Sequence, residues 1–279
     1  MKLIVNADDF GSSFSVNKAI LQAHERGILT SASLMVAGPA VDEAVAMARS
    51  TPTLAVGLHL VLVNGRAASP IGMIPHIVDH EGRFPDDPLM AGLRAVSSAA
   101  ARNETRRELE TQFALFAATG LALDHVDSHL HYYVHPFVLP IVLHLAVRYH
   151  AAGLRLPHDN LSLALKSDPT RPVQKAALAG VFNMFRLFYL SKVQRAGLVV
   201  VERVFGLLES GAMTETYMVN LLNNVQVATA EIYFHPDMAG GGPALGPNPG
   251  DLATLLSPGV RQAIDKREIQ LSTYTGLGG

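Results

Sequence analysis

Short apolar runs along the chain alternate with longer segments in which apolar residues recur every three or four positions. The first run, Leu3-Ile4-Val5, contains no polar residue and therefore predicts a strand that is buried on both faces. Similar runs, bounded by glycine, proline or polar residues, predict six further strands. These cover residues 31–36, 53–60, 123–127, 153–156, 228–234 and 269–271.

The segments between these strands have the periodicity of helices. Val16, Ala19, Ile20 and Ala23 follow the spacing that places side chains on one helix face. Residues 63–100 instead contain many glycines, prolines and aspartates, which predicts a long functional loop. Other helices are predicted at residues 41–48, 102–119, 136–150, 176–190 and 214–224 and after position 257, and a loop is predicted at the glycines 240–242.

The alternation of strands and helices is not divided by any linker, which predicts one α/β domain over residues 1–279. Such strand–helix–strand units form parallel sheets, either open or closed into a barrel. About seven predicted strands favour an incomplete, distorted (β/α) barrel. Gly57, inside the third predicted strand, indicates that another group approaches the backbone closely there.

Residues 158–200 interrupt this alternation with the apolar helix at 176–190. One interpretation is a helix packed against the core. The other is an amphipathic cover that meets a lipid-like substrate or a membrane surface, because Lys175, Arg186 and Lys192 are basic. The sequence leaves both interpretations open.

Composition narrows the class of protein. Hydrophobic residues make up 49% of the 279 residues, and the formal net charge is −2 without a dense basic run, so we expect no nucleic-acid partner. The absence of cysteine excludes disulfides and thiolate metal sites, and leaves 12 histidines as nitrogen ligands. No apolar run has the length of a membrane span and the first residues do not resemble a signal peptide, so we expect a cytoplasmic protein.

Titratable residues collect where five of the predicted strands end. In a parallel barrel the carboxyl ends of the strands open on one face, so these side chains are expected to share one mouth. The other histidines lie in predicted helices and loops, where we expect structural roles. The residues at the strand ends are Asp8, Asp9, His59, Asp127, His129, His131, Arg155, Glu231 and His235.

The neighbouring carboxylates of Asp8 and Asp9 need compensation, because a buried ionised carboxylate is costly to desolvate. A turn or a helix N-cap would explain the pair without a ligand. Alternatively, two imidazoles and one carboxylate, with room for water, form an open site for a borderline metal. Such a metal acidifies water and polarises a carbonyl, while a second carboxylate and a histidine act as base and acid. This second interpretation indicates a metal-assisted hydrolase of an amide or ester.

Five blocks of the sequence, in order and over almost the whole chain, resemble the YdjC-like (ChbG-type) carbohydrate deacetylases. They are Asn6-Ala7-Asp8-Asp9-Phe10-Gly11, Gly27-Ile28-Leu29-Thr30-Ser31, Gly57-Leu58-His59-Leu60, His125-Val126-Asp127-Ser128-His129-Leu130-His131 and Glu231-Ile232-Tyr233-Phe234-His235-Pro236. Finer features resemble the hopanoid-biosynthesis branch, HpnK. They are Ser33-Leu34-Met35-Val36, Leu123-Asp124-His125-Val126, Phe205-Gly206-Leu207 and Ser210-Gly211-Ala212-Met213-Thr214.

The resemblance implies a (β/α) barrel of the glycoside hydrolase/deacetylase type that removes the acetyl group of an N-acetylated sugar. In the hopanoid branch this sugar would be N-acetylglucosamine attached to a bacteriohopane polyol. Asp9, His59 and His129 are the implied ligands of one divalent metal ion. Two imidazoles favour Zn²⁺, although Mg²⁺ or another divalent ion would also fit.

The resemblance also implies roles for the remaining residues. Asp8 would be the general base, His235 would protonate the leaving group, and Arg155 would orient or tune Asp8. Asp127, His131 and Glu231 are implied to contact either the substrate or the residues that bind the metal and carry out the reaction.

Several alternatives stay open at this stage. Leu130 stands where the chitooligosaccharide branch has a histidine, which argues against transferring the substrate of that branch. The alternatives are a deacetylase of soluble N-acetylated oligosaccharides, another metal-dependent hydrolase, and a non-catalytic sugar- or lipid-binding relative. The resemblance further implies a helical insertion at about 158–200 that varies within the family, and it is compatible with a homodimer.

Overall fold

The strands form one sheet in which β1 pairs with three other strands. The computed structural model describes residues 1–240 and 246–278, and every strand pair within them is parallel. The strands are β1 (Lys2–Phe10), β2 (Ser31–Leu34), β3 (Ala55–Leu60), β4 (Leu123–Ser128), β5 (Gly153–Leu154), β6 (Arg203–Phe205), β7 (Thr229–Phe234) and β8 (Gln270–Ser272). Seven follow the order β5-β4-β3-β2-β1-β7-β6, and the short β8 pairs with the start of β1.

The sheet curls until its two edges approach each other. β5 and β6 are the edge strands, yet Gly153 in β5 forms a bridge with Val199, which lies just before β6. Arg155, which follows β5, also donates a hydrogen bond of 2.8 Å to Glu231 in β7. These contacts across the curl confirm the predicted incomplete (β/α) barrel.

Most of the helices begin where a side chain caps them. Ser13, Ser98 and Ser257 each accept a hydrogen bond from a backbone N–H group of the first helical turn. Pro88 and Pro249 stand at first helical positions, where no N–H donor is needed. The helices are α1 (Phe14–Arg26), α2 (Val41–Ser50), α3 (Pro88–Val96), α4 (Ala99–Ala118), α5 (Val138–Arg148), α6 (Leu161–Ser167), α7 (Pro172–Arg195), α8 (Glu215–Asn224), α9 (Pro249–Leu255), α10 (Pro258–Lys266) and α11 (Tyr274–Gly278).

Several of the described elements differ from the sequence-based prediction. The segment 63–100, which was expected to be a loop throughout, contains α3. The elements β6, α6 and α9 were also not predicted, and α7 extends beyond the predicted helix at 176–190 on both sides. That the surrounding segment 158–200 varies within the family stays a prediction.

The core lies between the sheet and its helices. Phe10 at the end of β1 and the pair Phe113 and Phe116 on α4 are almost completely buried. Each such side chain contributes about 1.5–3 kcal/mol by leaving water. Among the described residues, no helix combines the length and the apolar character that crossing a bilayer requires. Gly241 and Gly242 of the predicted glycine loop lie outside the described residues.

Candidate active site

The end of β1 brings two successive carboxylates to the interior of the barrel. The pairing of β1 with β2 shifts register between Ala7 and Phe10, which marks a bulge in β1. Asp9 within the bulge has a φ angle of 65°, a left-handed conformation that few residues other than glycine adopt. In a regular strand Asp8 and Asp9 would face opposite sides of the sheet. The bulge explains why both instead contact residues of the same site.

Asp9 meets two imidazoles that come from β3 and from the turn after β4. Its Oδ1 atom lies 3.4 Å from Nε2 of His59 and 3.1 Å from Nδ1 of His129. The candidate ligand atoms of these three residues all lie within 4.8 Å of one another. Asp9 and His59 are buried, whereas the side chain of His129 is 18% exposed, so the group is open toward solvent on one side.

His59 has one ring nitrogen that lacks a hydrogen-bond partner. Its Nδ1–H group donates to Oδ1 of Asp127 at 2.8 Å, while the buried Nε2 atom makes no hydrogen bond with any residue that the structure describes. A buried polar atom without a partner is costly, and a cation between Nε2 and Asp9 would remove that cost. Two imidazoles and one carboxylate also match the ligands that zinc-like cations prefer. The residues present therefore fit one divalent ion.

Arg155 compensates a second acidic group in the site. Asp8, His59 and Asp127 also lie close enough together to hold an ion. However, the fully buried guanidinium donates two hydrogen bonds to Asp8, at 2.7 and 2.8 Å, and lies 2.8 Å from Asp127 and from Glu231. Because Arg155 already neutralises Asp8, Asp127 and Glu231, the group of Asp9, His59 and His129 is the better cation site.

The same charges set the protonation of Asp8 and His59. Burial by itself raises the pKa of Asp8, but the guanidinium of Arg155 more than reverses this effect and the pKa is lowered. Burial also opposes the charged form of His59, but the carboxylates of Asp127 and Asp8 raise the pKa of the imidazole to about 10. Asp8 is therefore ionised at neutral pH, and a cation at Nε2 of His59 would displace a proton.

Two further histidines border the acidic pair in different surroundings. His235, which follows β7, is partly exposed, and its Nε2 atom lies 3.9 Å from Oδ2 of Asp8. His131 is buried and shares a hydrogen bond of 2.9 Å with the hydroxyl of Tyr233. Burial and the charge of Arg155 lower the pKa of His131 to about 3, so its ring is neutral. His235 thus lies toward the mouth, whereas His131 lies behind it.

A series of buried hydrogen bonds lies behind the site and was not predicted from the sequence. Ser33 on β2 donates to Oδ2 of Asp127 at 2.8 Å, and its hydroxyl lies 3.0 Å from Nε2 of His125. The Nδ1 atom of His125 in turn lies 3.0 Å from Asp124. A Cβ atom at Gly57 would lie 2.5 Å from the His125 ring, which confirms the close approach predicted there.

All nine residues predicted for the site lie in one network, either in direct contact or through Tyr233. Glu231 is completely buried and also accepts a hydrogen bond of 2.6 Å from the hydroxyl of Tyr274. Asp127 is equally buried, so these two carboxylates hold Arg155 and His59 in place. The catalytic and metal-binding roles of the nine residues stay predictions.

The comparison with known sequences decides the family. The sequence model of the YdjC-like proteins matches residues 2–266. The chain belongs to the YdjC-like family. A carbohydrate deacetylase from Geobacillus stearothermophilus is 32% identical to this YdjC-like chain over 277 residues, which are 97% of the chain and 96% of that enzyme.

Other relatives of this YdjC-like protein match it over part of their length. A carbohydrate deacetylase from Brevibacillus brevis is 48% identical over 150 residues, 53% of the chain and 57% of the relative. A chitooligosaccharide deacetylase from Serratia marcescens is 37% identical over 130 residues, 46% of the chain and 49% of that enzyme. The chain thus spans about half the length of these two relatives.

A solved structure supports the fold. The crystal structure of a proposed cellobiose-phosphate cleavage protein from Enterococcus faecalis V583 superposes with a TM-score of 0.77 at 26% identity. The match covers 99% of this YdjC-like chain and 98% of that protein. The incomplete barrel therefore recurs over the full length of an independently determined structure.

Proposed function

We propose that this YdjC-like chain is a metal-dependent hydrolase that cleaves the amide bond of an N-acetylated sugar and releases acetate. The observation that carries this proposal is the convergence of Asp9, His59 and His129 beside Asp8 and His235. Amide hydrolysis needs an electrophilic activator, a base and an acid around one point. The deacetylase names of the Geobacillus and Serratia relatives support the same reaction.

We assign one divalent cation to Asp9, His59 and His129, with Zn²⁺ favoured and Mg²⁺ or another divalent ion as the alternative. When bound, the cation would supply Lewis acidity that polarises the amide carbonyl and acidifies water. Asp127 holds the ring of His59 through Nδ1, which directs Nε2 toward Asp9.

The proton transfers fall to Asp8 and His235. Asp8 takes one proton from the attacking water as the new C–O bond forms at the acetyl carbon. His235 gives a proton to the sugar nitrogen as the C–N bond breaks, so that acetate and the free amine leave. Arg155 positions Asp8 by holding both of its oxygen atoms, and it keeps the carboxylate ionised.

We further propose that the sugar is N-acetylglucosamine attached to the polyol of a hopanoid lipid, whose ring system is apolar, as the resemblance to the HpnK branch implies. Leu130 is 45% exposed beside His131, and the ring of Phe182 on α7 lies 5.6 Å from the ring of His131. These side chains offer apolar surface next to the polar site. Soluble N-acetylated oligosaccharides are the second candidate, which the name of the Serratia relative favours.

Acetate release from two substrates tests this proposal. We expect the metal-loaded protein to deacetylate hopanoid-linked N-acetylglucosamine faster than diacetylchitobiose. His129→Ala should abolish release from both substrates, while the control His80→Ala, whose side chain is 90% exposed, should not change it. No acetate from either substrate would indicate a non-catalytic binding protein. Faster turnover of the soluble sugar would contradict the lipid acceptor alone.

A further inference from the structure

The outer side of α7 exposes large apolar side chains along most of its length. The side chains opposite the buried face of this 24-residue helix are 46–82% exposed. They recur at helical spacing on one face, which we call the outer stripe. Its members are Val173, Val181, Met184, Leu187 and Phe188.

The charges on α7 are all of one sign. Its sequence contains no aspartate or glutamate. Lys175 and Arg186 are buried, where Lys175 pairs with Glu209 and Arg186 donates to backbone carbonyls. Lys192 and Arg195 in the last turn are exposed. The helix therefore offers solvent an apolar stripe and positive charge, although the whole chain has a net charge of −2.

The apolar surface continues from α7 onto α5. A groove of about 420 Å³ between the two helices is lined mainly by apolar side chains, among them Leu143, Val147 and Tyr189. Lys192 lies at this groove with its Nζ atom 5.3 Å from the ring of Tyr189. Apolar surface bordered by an ammonium group is suited to the acyl and phosphate parts of an anionic lipid.

We propose that α7 docks on the surface of an anionic lipid bilayer, with its axis along the surface and the outer stripe in the interfacial region. Lys192 and Arg195 would contact lipid phosphates, as basic residues of interfacial helices do. A second copy of the chain is a poorer partner, because its own α7 would face Lys192 and Arg195 with further positive charge and no carboxylate. The opposite face of α7 carries Phe182, which contacts His131, so docking leaves that contact in place. The proposal is independent of the deacetylase reaction.

Vesicle co-sedimentation of the full chain tests the docking. We expect the protein to sediment with vesicles of phosphatidylcholine and phosphatidylglycerol in equal parts, and to stay in the supernatant with phosphatidylcholine alone. The double variant Leu187→Glu and Phe188→Glu should lower the bound-to-free ratio by about tenfold or more, since burying one such side chain changes an equilibrium by about that factor. The matched control, Leu89→Glu and Leu93→Glu on α3, changes residues that are 70% and 56% exposed and should bind like the wild type.

A second variant and a second measurement separate the possible partners. Lys192→Gln with Arg195→Gln should weaken binding to the anionic vesicles, and salt should weaken binding of the wild type. The circular dichroism of every variant should match the wild type. Failure of the wild type to sediment, or unchanged binding of the outer-stripe variant, would overturn the proposal. A wild-type dimer that becomes a monomer in the outer-stripe variant, without vesicle binding, would assign the surface to a second copy instead.

Discussion

The Nδ1–H group of His59 donates a 2.8 Å hydrogen bond to Oδ1 of Asp127, and the opposite ring nitrogen, Nε2, lies 3.4 Å from Oδ1 of Asp9. The hydrogen bond to Asp127 fixes the orientation of the imidazole so that Nε2 faces Asp9. Because a carboxylate can only accept, the proton on Nδ1 is assigned by Asp127. Nε2 is then the atom that is available to a cation once it is deprotonated.

Asp127→Asn should weaken metal binding without removing a ligand. The amide keeps the shape of the carboxylate but loses its charge, which makes His59 less basic and less well oriented. Loss of such a supporting contact typically costs about 10–100-fold in metal affinity. Calorimetric titration of the metal-free protein with Zn²⁺ measures this change. Asp159→Asn, at a buried aspartate outside the site, is the matched control. Equal affinity in a folded Asp127→Asn protein would show that Asp127 does not support the ligand.

Ser33→Ala should reduce stability but leave the reaction running. The arrangement of Ser33, His125 and Asp124 resembles a nucleophilic triad, yet all three residues are buried and no substrate could reach the hydroxyl. Removal of the hydroxyl deprives Asp127 and His125 of a partner, which should cost about 1–3 kcal/mol. Urea unfolding measures the loss, and acetate release should persist. Complete loss of activity in a folded, metal-loaded variant would instead indicate that Ser33 takes part in the chemistry.

Arg155→Met should destabilise the fold strongly. The substitution preserves much of the apolar volume but leaves Asp8, Asp127 and Glu231 without their shared cation. Removal of one partner from a buried ion pair typically costs about 3–5 kcal/mol. Chemical unfolding at neutral pH measures the difference. The surface control Arg106→Met should change stability by no more than about 0.5 kcal/mol, and a similarly small change at Arg155 would argue against this role.

Asp159 should make stability depend on pH. Burial raises the pKa of its carboxyl to about 6, although the backbone N–H groups of Leu208 and Asn160 donate to it. Because the folded-state pKa lies above the unfolded value, the stabilisation is present below about pH 4 and is lost as the pH rises through 6. The unfolding free energy of the wild type, minus that of the Asp159→Asn variant, should fall by roughly 2 kcal/mol between about pH 4 and about pH 6. A difference that is flat with pH would show that Asp159 titrates normally.

The strand ends were predictable because their position depends on a simple rule. Once β1, β3, β4, β5 and β7 are recognised as apolar runs of parallel strands, their carboxyl ends must lie at one end of the barrel. That rule brings Asp9, His59 and His129 together without any knowledge of loop structure. It does not reveal which carboxylates Arg155 compensates, since those contacts depend on the curl of the sheet and on the bulge at Asp9.

The missed elements have physical reasons. Asp87 and Pro88 form a helix-start signal for α3, but Leu89, Met90 and Leu93 on the exposed side obscure its periodicity. β6 has only three residues, too few to show any alternation. Ser33 and His125 are 92 residues apart in sequence, and nothing local to either position indicates their hydrogen bond.

Metal content of purified variants tests the proposed site most directly. After loading with Zn²⁺ and removal of excess ion, the wild type should retain one ion per chain by elemental analysis. His59→Ala and His129→Ala should each lose most of it because the three-residue site loses a ligand, while His80→Ala should keep it. Full occupancy in both ligand variants would contradict a metal site at Asp9, His59 and His129.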